Sequence, residues 1–587
     1  MIFNSPYPTP EIPGDNLTKF VFKQAKKSVF GTRPDTPVFI DAASGESISF
    51  TETEDMTYKL AAGMQKILGI KPGMTVGVYS TNDVYALPMF YSTALIGGIL
   101  VPTFPQAPVE VLAHRLRMSP PHCMFTTYSL LPIVREAIKL ADCPIPENRI
   151  VLIRGGGGPK EDIGKMYKIT DLMINEECEP YELNTVEESK NAVLVIPHTS
   201  GSTGKPKGMV IPHHSFISLC TCELKRDKYL SSIKDPKDLE PRSVLFTLFQ
   251  TQAYGLYFSA VENVCRGLTT VEGKMFDIQN VLRLVEEYRA VEIRGIPKIY
   301  YDWIDNWEDL KHYDISSLKG MYSTGIIFAP QMKRRLEELT GVLVSSEYGT
   351  SETMGVARNV SFDKKDYCVG TLYTGIQLKV IDKNGKILGP NNIGEVCVKT
   401  LTEMHDYLMP PQDNDGKVTN KPIRDEDGFF YTGDMGEITE DGLLCIYERV
   451  KDTIQGENGF VFPSVIENKM QAHPSIDDVV ILGVDVPSKD GKGVKQAARA
   501  FIVPPTAITN SSDEEKETYL KDLIEWANKD SPKSERLDGG AQLIDPLPIP
   551  RGDKGRHLIV RMRYLADYKP EEPIVASMIS PLPGLEL

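Results

Sequence analysis

Ten consecutive residues, Thr199-Ser200-Gly201-Ser202-Thr203-Gly204-Lys205-Pro206-Lys207-Gly208, hold four hydroxyls, three glycines and two lysines. Backbone N–H groups, hydroxyls and ammonium groups gathered in one loop can cradle a polyphosphate. Glycine lets the backbone approach such a ligand closely. The apolar run Ala192-Val193-Leu194-Val195-Ile196-Pro197 before the loop reads as a buried strand. The segment is not a Walker A loop, which needs four residues between its glycines and Ser or Thr after the lysine. Here Gly201 and Gly204 are too close, and Pro206 follows Lys205.

Four further segments follow: Tyr348-Gly349-Thr350-Ser351-Glu352, Tyr431-Thr432-Gly433-Asp434, Glu448-Arg449-Val450-Lys451-Asp452 with Pro463 and Glu467 beyond it, and Pro550-Arg551-Gly552-Asp553-Lys554-Gly555-Arg556. In this order and at these distances they resemble the motifs of the adenylate-forming superfamily. That group holds acyl-CoA and aryl-CoA ligases (4-coumarate-CoA-ligase-like and fungal-type synthetases among them), adenylation domains of peptide synthetases, and luciferases. The resemblance covers nearly the whole chain. It implies an N-terminal AMP-binding domain over residues 1–448 and a small mobile α/β lid over 449–587, hinged near 449–452. It also implies ATP-dependent activation of a carboxylic acid to acyl-AMP with release of pyrophosphate, followed by transfer to CoA. Two alternatives stay open: an acyl-AMP ligase that loads a separate carrier protein, and an inactive nucleotide-binding homologue.

The resemblance assigns roles residue by residue. Thr199, Ser200, Gly201, Ser202, Thr203 and Gly204 would surround the β- and γ-phosphates, with Lys207 as charge partner. Tyr348, with Gly349, Thr350 and Ser351, would lie near adenine; Ser351 stands where the family usually has threonine. Glu352 matches the metal-linked glutamate, and Mg²⁺ prefers oxygen ligands, with one or two carboxylates beside substrate phosphates. Asp434 would accept both ribose hydroxyls, and Arg449 would add a second contact. Lys451 takes the hinge position, where relatives carry Asp or Lys. The final loop offers two candidates for the adenylating residue. Gly555-Arg556 puts an arginine at the usual lysine position, whereas Lys554-Gly555 fits fungal-type relatives. Arginine and lysine are not interchangeable at a site shaped for a compact, mobile charge, which favours Lys554. After the hinge, many CoA ligases read Lys-x-x-Gly. Here Gln455, Gly456, Glu457 and Asn458 put Gly459 one place late, so CoA is a less secure expectation than adenylation.

The acid pocket is expected around Gln252, Ala253, Tyr254, Gly255, Gly325, Ile326 and Ile327. Ala253 stands where peptide-synthetase domains often place Asp, and a buried ammonium without that partner would be costly, which disfavours an α-amino acid. The remaining residues predict a largely apolar pocket, suited to an aryl, arylalkenoic or medium-chain acid.

These groups need a scaffold, and 587 residues predict several domains or subdomains. Short apolar strands at Thr75–Tyr79, Ile99–Thr103 and Cys123–Thr126 alternate with helical stretches such as 109–118. The pattern recurs from Ala192 to about Gly349, with helices over 278–288 and 330–339. Such alternation predicts an α/β fold with parallel sheets. From Val369 to Val398 the text changes to strands and turns, with Asn384-Gly385 as a hairpin signal; the expectation there is a small β-barrel-like part. The net charge of −15 argues against nucleic acid as a partner. No apolar run reaches transmembrane length, and the first thirty residues lack a secretory pattern, so the expected location is cytoplasmic. Nine scattered cysteines without a Cys-x-x-Cys pair predict buried free thiols rather than zinc or disulfides.

Overall fold

The computed structural model describes residues 1–153, 164–198, 207–227, 240–273, 277–359, 365–402, 404–408, 422–456, 459–487, 494–529, 531–532, 535–547 and 555–565. The glycine run 155–158, the loop residues Thr199 to Pro206, Lys554 and the tail from Tyr568 lie outside them.

The alternation of strand and helix produces two large sheets. In the first, Pro37–Asp41, Leu268–Glu272, Arg242–Phe246, Glu292–Gly295, Gly320–Ser323 and Val344–Thr350 are parallel neighbours in that spatial order. At Val344–Thr350 the same sheet turns antiparallel. It continues through Met354–Arg358, Cys368–Leu372, Leu443–Arg449, Phe430–Ile438, Gly394–Lys399 and Gln377–Ile381. The second sheet has seven strands, with Ile99–Thr103 and Cys123–Thr126 parallel on either side of Thr75–Tyr79. Val193–Val195, the strand expected before the phosphate loop, pairs with Ile99–Thr103. The largest core joins both sheets through the helices Leu17–Ala25, Ala86–Leu95 and His213–Arg226.

Strands and helices legible as apolar periods form where expected: Thr75–Tyr79, Ile99–Thr103, Cys123–Thr126, Ile278–Tyr288 and Pro330–Thr340. Elsewhere caps decide. The helix Phe50–Lys66 begins where Ser49 and Glu52 form a capping box around its first N–H groups. Asn384-Gly385 makes a tight turn, with Gly385 at φ +81° and the Asp382 carboxylate accepting from the N–H groups of Asn384 and Lys386.

One cysteine expectation is corrected. Cys368 and Cys445 form a disulfide, while the other seven cysteines are free thiols. The bonded pair is 77 residues apart and meets because antiparallel pairing sets the two directly opposite each other. No sequence spacing encodes that.

Residues 454–565 carry cores of their own on the two faces of a three-stranded sheet, Asp478–Pro487, Val494–Val503 and Ala541–Leu543. Ile481 and Ile502 face one side, Val480 and Phe501 the other, as the two-residue period of a strand requires. Among the described residues no helix is long and apolar enough to cross a membrane.

Candidate active site

The site gathers where Val344–Thr350, the last parallel strand, ends. In open α/β sheets, ligands sit outside the carboxyl ends of the strands. The chain turns back at once into Met354–Arg358, and a Cβ on Gly349 would lie 2.0 Å from the Met354 carbonyl oxygen. Only glycine fits there. Two buried threonines fix the turn: Thr350 and Thr353 accept each other's backbone N–H, at 3.2 and 3.3 Å. Ser351 is exposed at the tip and Glu352 stands beside it, half-buried.

Glu352 is tied to the exit of the phosphate loop. The Tyr407 hydroxyl donates to Glu352 Oε1 at 2.8 Å. The ammonium of Lys207 lies 5.2 Å from the centre of the Tyr407 ring. Backbone bonds hold this arrangement together: Leu408 N–H to the Gly208 carbonyl, His405 N–H to that of Val210, and Met404 N–H to that of Glu352. Partial burial lowers the Lys207 pKa, and the Glu352 carboxylate counteracts it. Sequence reasoning missed Tyr407, because it sits in the unpatterned stretch Met404 to Leu408.

Asp434 lies across a strand pair from Arg449, its register partner. The Tyr348 hydroxyl donates to Asp434 Oδ2 at 2.7 Å, and Arg449 Nε faces Oδ1 at 3.1 Å. Arg449 also donates to the Thr432 carbonyl at 3.0 Å, while the Thr432 hydroxyl accepts the Asp434 N–H. Burial disfavours the charge on Arg449, but Asp434, Tyr348 and Glu352 outweigh it and hold its pKa above the ordinary value. Burial, then the Asp434 carboxylate, pushes the Tyr348 hydroxyl well up. Tyr348, Glu352, Asp434 and Arg449, read from four separate motif positions, thus share one electrostatic neighbourhood. Among the described residues no three metal-ligating side chains cluster. A single carboxylate such as Glu352 suits a Mg²⁺ ion held mostly by phosphate oxygens and water.

Lys451 is exposed in the turn after Arg449, where the N–H groups of Asp452 and Thr453 both bond to the Arg449 carbonyl. Arg556 is elsewhere. Its guanidinium is paired with the Asp478 carboxylate and donates to the Val479 carbonyl at 2.8 Å, leaving the residue 7% exposed. Next to it, His557 bonds Glu467 at 2.7 Å.

Gln252 immediately precedes the helix Ala253–Tyr257. Gly255 is required in that helix, since a Cβ would lie 1.9 Å from the Phe249 carbonyl oxygen. Gly325 is exposed at φ +87°, just past the strand Gly320–Ser323, and Ile326 and Ile327 follow it half-buried. Tyr254, in the first turn of that helix, is half-buried. Behind it Arg294 pairs with Glu262 at 2.9 Å and Glu292 at 3.2 Å, and Arg358 pairs with Glu223 at 2.8 Å and Glu347 at 3.3 Å. This buried charge was not legible, because its members come from distant strands and helices.

The model of AMP-binding enzymes matches residues 26–408. The chain belongs to that family. Among curated proteins, a probable 4-coumarate–CoA ligase of Dictyostelium discoideum is 26% identical over 561 residues, spanning 93% of this chain and 95% of that protein. A 4-coumarate–CoA ligase of Pinus taeda is 26% identical over 501 residues, spanning 84% and 86%. Among solved structures, ATP-bound MatB from Rhodopseudomonas palustris matches with a TM-score of 0.73 at 20% identity, covering 94% of this chain and 99% of that one. At that identity the structural match shows the fold of an AMP-binding enzyme. The expected α/β architecture is therefore borne out.

Proposed function

We propose that the protein is an AMP-forming acid–thiol ligase: it activates a carboxylic acid with ATP and transfers the acyl group to CoA. The observation that carries this reading is the shared neighbourhood of Tyr348, Asp434, Arg449 and Glu352 beside the exit of the phosphate loop. The 4-coumarate–CoA ligase relatives named above and the family membership support it.

In the first step a carboxylate oxygen bonds to the α-phosphorus, and the bond from that phosphorus to the β-bridging oxygen breaks. Pyrophosphate leaves. Two anions must meet, so donors and cations have to be placed in advance. Asp434 can exchange its bond to Tyr348 for ribose hydroxyls, while Arg449 keeps the carboxylate oriented. Lys207 supplies positive charge beside the loop 199–206. Glu352, steadied by Tyr407, would hold Mg²⁺, which when bound screens the phosphate oxygens. In the second step the CoA thiolate attacks the acyl carbon and AMP departs.

Of the two candidates for the adenylating residue, Arg556 is already engaged by Asp478 and Val479. That engagement supports Lys554, and it weakens the reading of an inactive homologue whose lysine had been lost. The separate cores after Ile454 and the exposed turn at Lys451 support a boundary at 449–452. We place the activity in the cytoplasm; seven of the nine cysteines are free thiols, as a reducing compartment favours, against one disulfide, Cys368–Cys445. ATP–pyrophosphate exchange tests the reading: exchange that needs an apolar acid and Mg²⁺ supports it, and acid-independent or absent exchange refutes it.

A further inference from the structure

Three arginines are buried among the described residues: Arg115, Arg294 and Arg556. Arg294 faces Glu262 and Glu292, and Arg556 faces Asp478. Arg115, 3% exposed, has no carboxylate partner among the described residues. Its guanidinium lies 5.0 Å over the Phe104 ring, and its Nε is unpaired. Burial lowers its pKa to about 9, and Tyr79 counteracts that, so the group is still charged at neutral pH. A buried charge without a counter-charge is strongly destabilising.

Strand order sets this charge at the base of the phosphate loop. Ile99–Thr103 runs parallel to Val193–Val195, with Leu100 opposite Val195. Carried three residues on, that register brings His198 level with Thr103, the residue before Phe104. His198 directly precedes Thr199 and bridges to Gly208, so the two described ends of the loop meet there. A Cβ on Gly208 would lie 3.4 Å from His198 Nε2. Neighbouring strands are about 4.8 Å apart, which puts the Arg115 guanidinium within roughly 10 Å of this base.

The surroundings are polar and supply no anion. His198, 7% exposed, has both ring nitrogens unpaired, and Gln106, 6% exposed, has both amide atoms unpaired. The Tyr79 hydroxyl pins the backbone on either side of Gln106, 2.9 Å from the Pro105 and Ala107 carbonyls. Burial, then Arg115 and His114, holds the His198 pKa well below its ordinary value, so that ring is neutral. Neither side chain balances Arg115. On the ligase reading the anion that does is the polyphosphate brought to the loop.

Resting on that reading, we infer that Arg115 is the buried counter-charge of the ATP polyphosphate. It is a positioning residue: it acts through its field across the base of the loop and favours ligands that carry the β- and γ-phosphates. In a low-dielectric interior a charge is felt over that distance with little screening by salt. AMP, which lacks both phosphates, gains little.

The test titrates the full-length protein with pyrophosphate, ATP and AMP, each with Mg²⁺, by calorimetry; no acid is needed. Arg115→Met keeps the bulk and removes the charge. It should raise Kd for pyrophosphate and for ATP about tenfold and leave Kd for AMP within about twofold. Tm should hold, because no carboxylate is stranded. Arg115→Lys, which keeps a charge, should recover most of the affinity, and Arg115→Gln gives a second neutral variant should the methionine variant fail to fold. An unchanged Kd for pyrophosphate, equal weakening of all three ligands, or a lysine variant as weak as the neutral ones would mean that Arg115 only packs on Phe104, and overturns the inference. Acid-dependent ATP–pyrophosphate exchange by the unmodified protein keeps the ligase reading standing in each of those cases; its absence removes both.

Discussion

Asp434 and Glu347 are carboxylates on strands of one sheet, each facing a tyrosine and an arginine. Asp434 has Tyr348 at 2.7 Å and Arg449 at 3.1 Å; Glu347 has Tyr373 at 3.5 Å and Arg358 at 3.3 Å. The residue types are the same and the surroundings differ. The Arg449 side chain is 36% exposed, whereas Arg358 is 14% exposed and shared with Glu223, and the Glu347 side chain is 1% exposed. On the proposed reading Asp434 trades a partner for a ligand, beside an arginine that still reaches solvent. Glu347 cannot, because no solvent or ligand stands ready to replace what it would lose. Access to exchange, more than chemistry of side chains, separates a site from its scaffold here.

The largest effect should come from Lys554, which lies outside the described residues. Lys554→Ala is expected to slow pyrophosphate release by about 100- to 1000-fold while Tm holds. Arg556→Ala should do the reverse, lowering Tm while retaining most activity; the opposite ranking would break the assignment. Next, Arg358→Met strands Glu347 and leaves Glu223 with Arg226 alone, and should cost about 3–5 kcal/mol of stability in urea unfolding. Asp434→Asn should leave stability within about 1 kcal/mol and raise KM for ATP about tenfold, the contrast that most sharpens the comparison. Tyr407→Phe removes one hydrogen bond to Glu352 and should weaken the Mg²⁺ response by about threefold.

The smallest effect is in pH. Burial opposes the charge on His557, but Glu467 outweighs it and holds the imidazolium above its usual value; Glu448 and Asp452 add to that. Glu467 in turn is held below its usual value although burial opposes it, with His557 and Arg556 responsible. The His557 contribution is full below its unfolded pKa of about 6.5 and fades as pH rises through the folded value. The Glu467 contribution is present above its unfolded pKa of about 4.3 and fades as pH falls. The Tm gap between the protein and His557→Phe should therefore be widest below about pH 6.5, while Glu467 is still ionised, and should narrow as pH rises through the raised folded value of His557. A gap that widens with pH would contradict the pairing.

Residues with fixed local neighbours could be read from the sequence. Gly349, Glu352, Asp434 and Arg449 sit in short motifs, and the strand before the phosphate loop announces itself as an apolar run. Tyr407 could not be read, because its role depends on backbone pairing between 404–408 and 208–210. The same holds for Cys368 with Cys445, set opposite by strand order, and for Arg294 with Glu262, where a strand meets a helix. The buried charge near Tyr254 could not be read for the same reason.

Product analysis tests the central claim most directly. The protein would be incubated with ATP, Mg²⁺, CoA and each of a panel of linear, aryl and amino acids, with the nucleotide products separated. The account predicts AMP and pyrophosphate in equal amounts, formed only with a suitable non-amino acid and faster with CoA, together with an acyl-CoA. ADP and phosphate as products, or no AMP with any acid, would contradict it.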